Sequence, residues 1–167
     1  MFNTLILGHG RHGKDTVAEY LRDEMDMEFK SSSEAVGELA VYPHLKDKHG
    51  YESFKECFDD RHNHRDEWKR LISEYNTPDK SRLCTEVTAM NSCYVGLRCP
   101  IEYEASKHLF DLVVWVDRSV WEPDDPSMGI EYDEDAMLLI DNNASMGELD
   151  EQIEARLGFL RYVDEFY

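Results

Sequence analysis

The sequence predicts a three-layer α/β fold with a mainly parallel sheet. Short apolar runs alternate with longer stretches of helical period, as strands and their covering helices do in parallel sheets. The first apolar run ends in a glycine-rich loop that leads into a helix, "LILGHGRHGKDTVAEYL" from Leu5 to Leu21. Four polar motifs, "GHGRHGKDT", "GLR", "VDRS" and "DNN", fall where strands should end. That is the sheet edge at which ligands bind in such folds.

Each element has its own signal. Thr4 to Leu7 is short and apolar and stops at Gly8, the pattern of a buried strand. Thr16 to Asp26 predicts a helix, because Val17, Tyr20 and Leu21 share one face. Met27 to Lys30 reads as a short extended piece. Ser31 to Ser33 then cap a helix expected over Glu34 to Val41, which Pro43 should follow. Ser53 to Tyr75 is charged and helical, with one apolar stripe at Phe54, Cys57 and Phe58 and another at Trp68, Leu71, Ile72 and Tyr75. "NTPDK" is a turn, and Ser81 to Met90 a further helix. "CYVGLR" is a short strand ending at Gly96, and "IEYEASKHLF" is helical. "LVVWVDRS" is the plainest strand in the chain. A Pro- and Asp-rich loop, "VWEPDDPSMGIEYD", precedes a last strand, "AMLLIDNN", and a last helix, "SMGELDEQIEARL". No internal repeat or low-complexity segment interrupts this order, and one domain over 1–167 is expected.

Composition narrows the function. Of 167 residues, 41 % are hydrophobic, enough for a packed core. Acidic residues number 36 against 18 basic ones, a net charge of −18. A protein that coats nucleic acid needs cations along the phosphate backbone, so that role is disfavoured, although a small local contact is not. Cys57, Cys84, Cys93 and Cys99 show no CxxC spacing, which favours reduced thiols over a zinc cluster or a disulfide framework. No apolar run approaches the roughly 20 residues that span a membrane, and "MFNTLIL" lacks the basic start of a signal peptide. A cytoplasmic protein with no membrane partner is expected; its oligomeric state is not legible.

The glycine loop matches G-x-x-x-x-G-K-[ST] except at the last position. Gly8, His9, Gly10, Arg11, His12 and Gly13 lead to Lys14, then Asp15 and Thr16. Backbone N–H groups and a helix N-terminus can cradle the phosphates of ATP, and a lysine adds charge at the transferring end. Thr16 offers a hydroxyl one position late. The carboxylate of Asp15 can reach Mg²⁺ directly or through water, or can orient an acceptor instead.

"GxxxxGKDT" resembles the loop of the tailed-phage deoxynucleoside monophosphate kinases, a P-loop kinase family that also places Asp before Thr. "GLRCPIEYEASKHLFDLVVWVDRS" and "LLIDNNASMGELDEQIEARL" resemble that family's later strands and helices. The resemblance covers about Phe2 to Arg22 and Val95 to Leu157. It implies that Arg98 and Arg118 face phosphates as catalytic cations beside Lys14 and Asp15. It also implies that Asn142 and Asn143 lie near the adenine of ATP.

The stretch between, about residues 30–94, is shorter than that family's acceptor region. It holds Ser33 and Glu34, and a basic island with Arg61, Arg65 and Arg70 around Trp68. Such an island can hold an acceptor's phosphate and offer an aromatic for base stacking; it can equally be a solvated helix face. His62 and His64 find no fitting third metal ligand. The layout also resembles related phage kinases that phosphorylate 5-hydroxymethyluracil in DNA. A hydroxyl acceptor benefits from a carboxylate base, and Asp15 and Glu34 are placed to serve. A base within a duplex would have to be flipped out. The expected reaction is γ-phosphoryl transfer from ATP to that hydroxymethyl group in phage DNA. A deoxynucleoside monophosphate is the alternative acceptor, and a non-catalytic nucleotide-sensing module the remaining alternative.

Overall fold

A computed structural model describes residues 2–165; the expected domain over 1–167 also includes residues 1, 166 and 167, which lie outside the described residues. Among the described residues five strands form one sheet: β1 (Thr4–Leu7), β2 (Phe29–Ser31), β3 (Cys93–Val95), β4 (Leu112–Asp117) and β5 (Leu138–Asp141). Their order is β2-β3-β1-β4-β5, and every pairing is parallel. The glycine-loop strand, β1, is therefore central, with Ile6 opposite Val95 on one side and Val114 on the other.

Alternation along the strands builds two cores. Ile6, Val95, Val114 and Val116 face one side, where α1 (Lys14–Met25) and α8 (Met146–Leu157) cover them with Val17, Leu21, Leu149 and Ile153. Leu5, Leu7, Tyr94, Val113 and Trp115 face the other side, against α2 (Ser32–Val36) and α6 (Arg82–Thr88). The expected three-layer α/β fold with a parallel sheet is what the chain forms.

The middle of the chain differs in detail from the sequence expectation. The helix expected to end before Pro43 continues: a π-helical turn, Gly37–Val41, joins α2 to α3 (Tyr42–His49). Pro43 lies in the first turn of α3, where a missing N–H costs little. The single helical stretch expected over Ser53 to Tyr75 is two helices, α4 (Phe54–Asp59) and α5 (Arg65–Tyr75), parted by a 3₁₀ turn at Asp60–His62. Together α3, α4 and α5 enclose a third core of Val41, Leu45, Cys57, Trp68 and Leu71. The remaining helix, α7 (Pro100–Ser106), follows β3. Among the described residues no helix is long and apolar enough to cross a membrane.

Candidate active site

The glycine loop turns tightly at three left-handed residues, two of them glycines. Gly8 has φ 139° and Gly13 φ 94°. A Cβ on Gly8 would lie 2.4 Å from the Val116 carbonyl oxygen, and one on Gly13 would lie 2.4 Å from Asn142 Nδ2. Arg11, at φ 65°, takes the same left-handed region without being glycine. Gly13 is the N-cap of α1 and no side chain caps that helix. The first-turn amides of α1 thus end a helix with no capping partner, the arrangement that binds anions. Lys14 Nζ donates to the His9 carbonyl across the loop. Burial lowers the Lys14 pKa from its ordinary value and the Arg98 charge adds to this, while Asp15 and Asp125 oppose it.

Buried polar groups hold the loop from beneath. His12 is fully buried. Its Nδ1 accepts from the Arg118 N–H at 3.0 Å and its Nε2 donates to the Glu122 carbonyl at 3.3 Å, roles that suit a neutral ring. Asn142, also buried, donates from Nδ2 to the His12 carbonyl at 3.0 Å. Asn143 donates to the carboxylates of Asp117 and Asp141, at 2.9 and 2.7 Å, and accepts from the Val120 N–H. Burial opposes ionisation of Asp117, but hydrogen bonds from Asn143 and Ser119 outweigh it and hold the carboxyl below its usual range.

The loop after β4 folds back over the glycines. The Asp125 N–H donates to His9 Nδ1 at 3.0 Å. Arg98 Nη1 donates to Asp125 Oδ2 at 2.8 Å and also to the Ser127 hydroxyl. A Cβ on Gly10 would approach Asp125 Oδ2 to 2.9 Å, so a glycine is what lets this strap lie so close.

A cavity of about 540 Å³ opens beside the loop. Gly10, Arg11, Lys14 and Asp15 line it, as do Ser31, Ser32, Ser33, Asn76, Tyr94, Arg98 and Glu102. Asn76 is buried and donates from Nδ2 to Glu102 Oε1 at 2.9 Å. Asn76 Oδ1 and the Tyr94 hydroxyl, both buried, have no hydrogen-bond partner among the described residues. Ser32 donates to the Gly96 carbonyl at 2.9 Å, which ties the serine turn to the end of β3.

The structure brings some of the expected residues together and not others. Gly10, Arg11, Lys14, Asp15, Ser33 and Arg98 share the cavity wall. Gly8, His9, His12, Gly13, Asn142 and Asn143 form the loop and its support, with Asn142 packed under Gly13. Thr16 is half-buried in the first turn of α1. Arg118 gives its main-chain N–H to His12 on the loop's underside. Glu34 is not on the wall; it accepts from the Ser31 hydroxyl at 2.9 Å in the cap of α2. Arg61, Arg65 and Trp68 are also off the wall. The base-stacking expectation for Trp68 is corrected by its burial, at 6 % exposure, in the core of α3, α4 and α5. Arg61 lies over the Phe58 ring at 4.1 Å and donates to the Phe58 carbonyl. Arg65 bonds His62, and Arg70 pairs with Glu74. The basic island is therefore largely engaged on its own helices.

Asn76, Tyr94 and Glu102 were not singled out from the sequence. Tyr94 is hidden in an apolar strand run. Asn76 follows a helix and reads as a turn residue.

No protein-family model matches the chain, and no curated protein matches its sequence. Among solved structures, a gluconokinase from Sinorhizobium meliloti 1021 is 14 % identical, with 99 % of this chain and 96 % of that one covered at a TM-score of 0.53. A sugar kinase from Janibacter sp. HTCC2649 is 16 % identical over 98 % of each chain, at a TM-score of 0.49. The first likeness shows the fold alone, a parallel sheet covered by helices on both faces; the second is too loose to add to it.

Proposed function

We propose that the chain is an ATP-dependent P-loop kinase acting on a hydroxyl acceptor, and that the acceptor is the hydroxymethyl group of 5-hydroxymethyluracil in DNA. One observation carries the kinase reading: uncapped first-turn amides of α1 and Lys14 open onto the same cavity as Asp15, Glu102 and the serine turn. The residues fit a triphosphate, because the glycines let backbone approach closely and the helix terminus leaves N–H groups unpaired. When bound, ATP with Mg²⁺ supplies the phosphoryl group and offsets part of its charge. Lys14 and Arg98 neutralise charge on the transferring oxygens. Asp15 and Thr16 are the residues for the metal. The acceptor oxygen forms its bond to phosphorus as the bond to the ADP oxygen breaks, and the acceptor's proton passes to a carboxylate, Asp15 or Glu102.

The wall favours a hydroxyl over a phosphate. Its cations are Arg11, Lys14 and Arg98; the rest is serine, amide, tyrosine, carboxylate and apolar surface. Asn76 Oδ1, oriented by Glu102 and lacking a partner, suits an N–H donor such as that on a pyrimidine edge. The fold neighbour named a gluconokinase is consistent with a hydroxyl acceptor. The identity of the base rests on the resemblance to the 5-hydroxymethyluracil kinases, as does a single domain whose residues 30–94 receive the acceptor. A deoxynucleoside monophosphate kinase is the second reading; Arg98, a lining cation able to hold a phosphate, is what favours it.

Incubation with γ-labelled ATP tests this against each deoxynucleoside monophosphate and, separately, DNA containing 5-hydroxymethyluracil. Label in the modified DNA is the expected result. Label only in a monophosphate promotes the second reading, and no label with either ends both.

A further inference from the structure

Away from the cavity, the end of α3 meets the start of α5 at two histidines and a glutamate. His49 Nε2 lies 3.0 Å from Glu67 Oε2, and His64 Nδ1 lies 3.6 Å from the same oxygen. All three ligand atoms fall within 4.8 Å of one another, and all three residues are half-buried. We propose that His49, His64 and Glu67 form a binding site for a divalent first-row metal, with Zn²⁺ the best fit.

The dimensions suit that ion. Zn–N and Zn–O bonds of about 2.0–2.1 Å in a tetrahedron place neighbouring ligand atoms about 3.3–3.4 Å apart. The two edges to Glu67 lie on either side of that value, and the two histidine nitrogens, within 4.8 Å of each other, close on one centre by side-chain rotation. Two imidazoles and one carboxylate also favour zinc-class ions over Ca²⁺ or Mg²⁺, which take oxygen ligands.

The surroundings orient two of the three ligands. Asp60 Oδ2 lies 3.2 Å from His64 Nε2, which fixes the proton there and leaves Nδ1 as the lone-pair donor. Tyr51 in turn donates to Asp60 Oδ2 at 2.6 Å. Lys48 bonds Glu67 Oε1, so Oε2 is the oxygen turned to the histidines. The two imidazole rings are 4.1 Å apart between centroids and partly stacked, so they open slightly when both nitrogens turn to one ion. His62, which the sequence suggests as the neighbour of His64, takes no part; its Nδ1 accepts from Arg65. The third ligand comes instead from α5, one helical turn after the loop that carries His64. A metal here would clip α3 to α5 and reinforce the small core beneath them.

Cobalt and zinc titrations test the site on the full chain after dialysis against a chelator. Co²⁺ should give visible d–d bands that saturate as a single site and that Zn²⁺ displaces, and Zn²⁺ should raise the Tm. His64→Gln and Glu67→Gln should abolish the bands. Asp60→Asn, which leaves all three ligands in place, should weaken Co²⁺ binding about 10–100-fold while far-UV circular dichroism stays unchanged. If the wild type shows no saturable binding up to millimolar Co²⁺, or if the bands survive in both ligand variants, the site does not exist and the cluster is an ordinary ion-pair network.

Discussion

Two regions of this chain carry most of its unusual chemistry, and they are built differently. The glycine-loop end is held by buried polar bonds: His12 to Arg118 and Glu122, and Asn142 to the His12 carbonyl. The region of α3, α4 and α5 is held by an apolar core with charged groups paired on its outside. Buried polar bonds fix backbone N–H directions, which a phosphate site needs; apolar packing fixes shape but leaves the direction of surface cations open. The difference teaches that clustered arginines in the sequence are weaker evidence for a ligand site than a glycine loop, because the loop's geometry has few other uses.

The largest expected effect strikes the second region. Trp68→Ala should cost about 3–5 kcal/mol in urea or thermal unfolding, as the loss of a buried aromatic does. The KM for ATP should be unchanged in the fraction that remains folded. A variant of wild-type stability with a raised KM for the acceptor would return Trp68 to the role of a stacking platform.

Next in size is Asp15→Asn, which keeps shape and removes charge on the cavity wall. The transfer rate should fall about 100-fold or more if Asp15 holds metal or takes the proton. A silent Asp15→Asn beside a severe Thr16→Val would assign the metal to Thr16 and the proton to Glu102.

A smaller effect is expected in the pH profile. Burial and then Arg98 depress the Lys14 pKa, so the charged amine is lost as pH rises through a value below the ordinary 10.5. The alkaline limb of kcat/KM, which reports the free enzyme, should therefore lie below 10.5. Folding stability moves the opposite way: the depressed group disfavours the charged form, so its penalty is full at lower pH and relieved above the unfolded pKa. In Arg98→Gln the alkaline limb should move upward. A limb that stays in place would remove Arg98 from the neighbourhood of Lys14.

Smallest of all should be the triple change of Arg61, Arg65 and Arg70 to Gln. Stability should shift by no more than about 0.5 kcal/mol, as exposed pairs usually allow. The salt dependence of DNA labelling should also hold, since each lost phosphate contact would remove about one unit of slope. A flatter slope would show that the island touches DNA beyond the cavity.

The sheet was legible because its strands are short apolar runs that stop at polar motifs, and parallel packing on both faces leaves them little other reading. The glycine loop was legible because its residue types answer to one backbone shape. The middle was less so. Pro43 reads as a stop signal, yet the chain bends through a π turn and uses it to begin α3. Trp68 carries the same helical spacing whether its stripe faces a core or a ligand, so spacing could not assign it. His49 lies too far along the chain from His64 for any local motif to pair them. Asn142 illustrates a subtler limit: the family resemblance implies a place near the adenine of ATP, whereas three-dimensional packing puts its amide beneath Gly13.

The most direct test of the phosphate-loop assignment is single-turnover transfer from γ-labelled ATP to DNA containing 5-hydroxymethyluracil, comparing the wild type with Lys14→Ala. The wild type should label the DNA. Lys14→Ala should be slower by about 1,000-fold, in line with removal of one preorganised charge from a transferring group, with its far-UV circular dichroism unaltered. Equal rates in the two proteins would contradict the assignment and move the chemistry elsewhere in the fold.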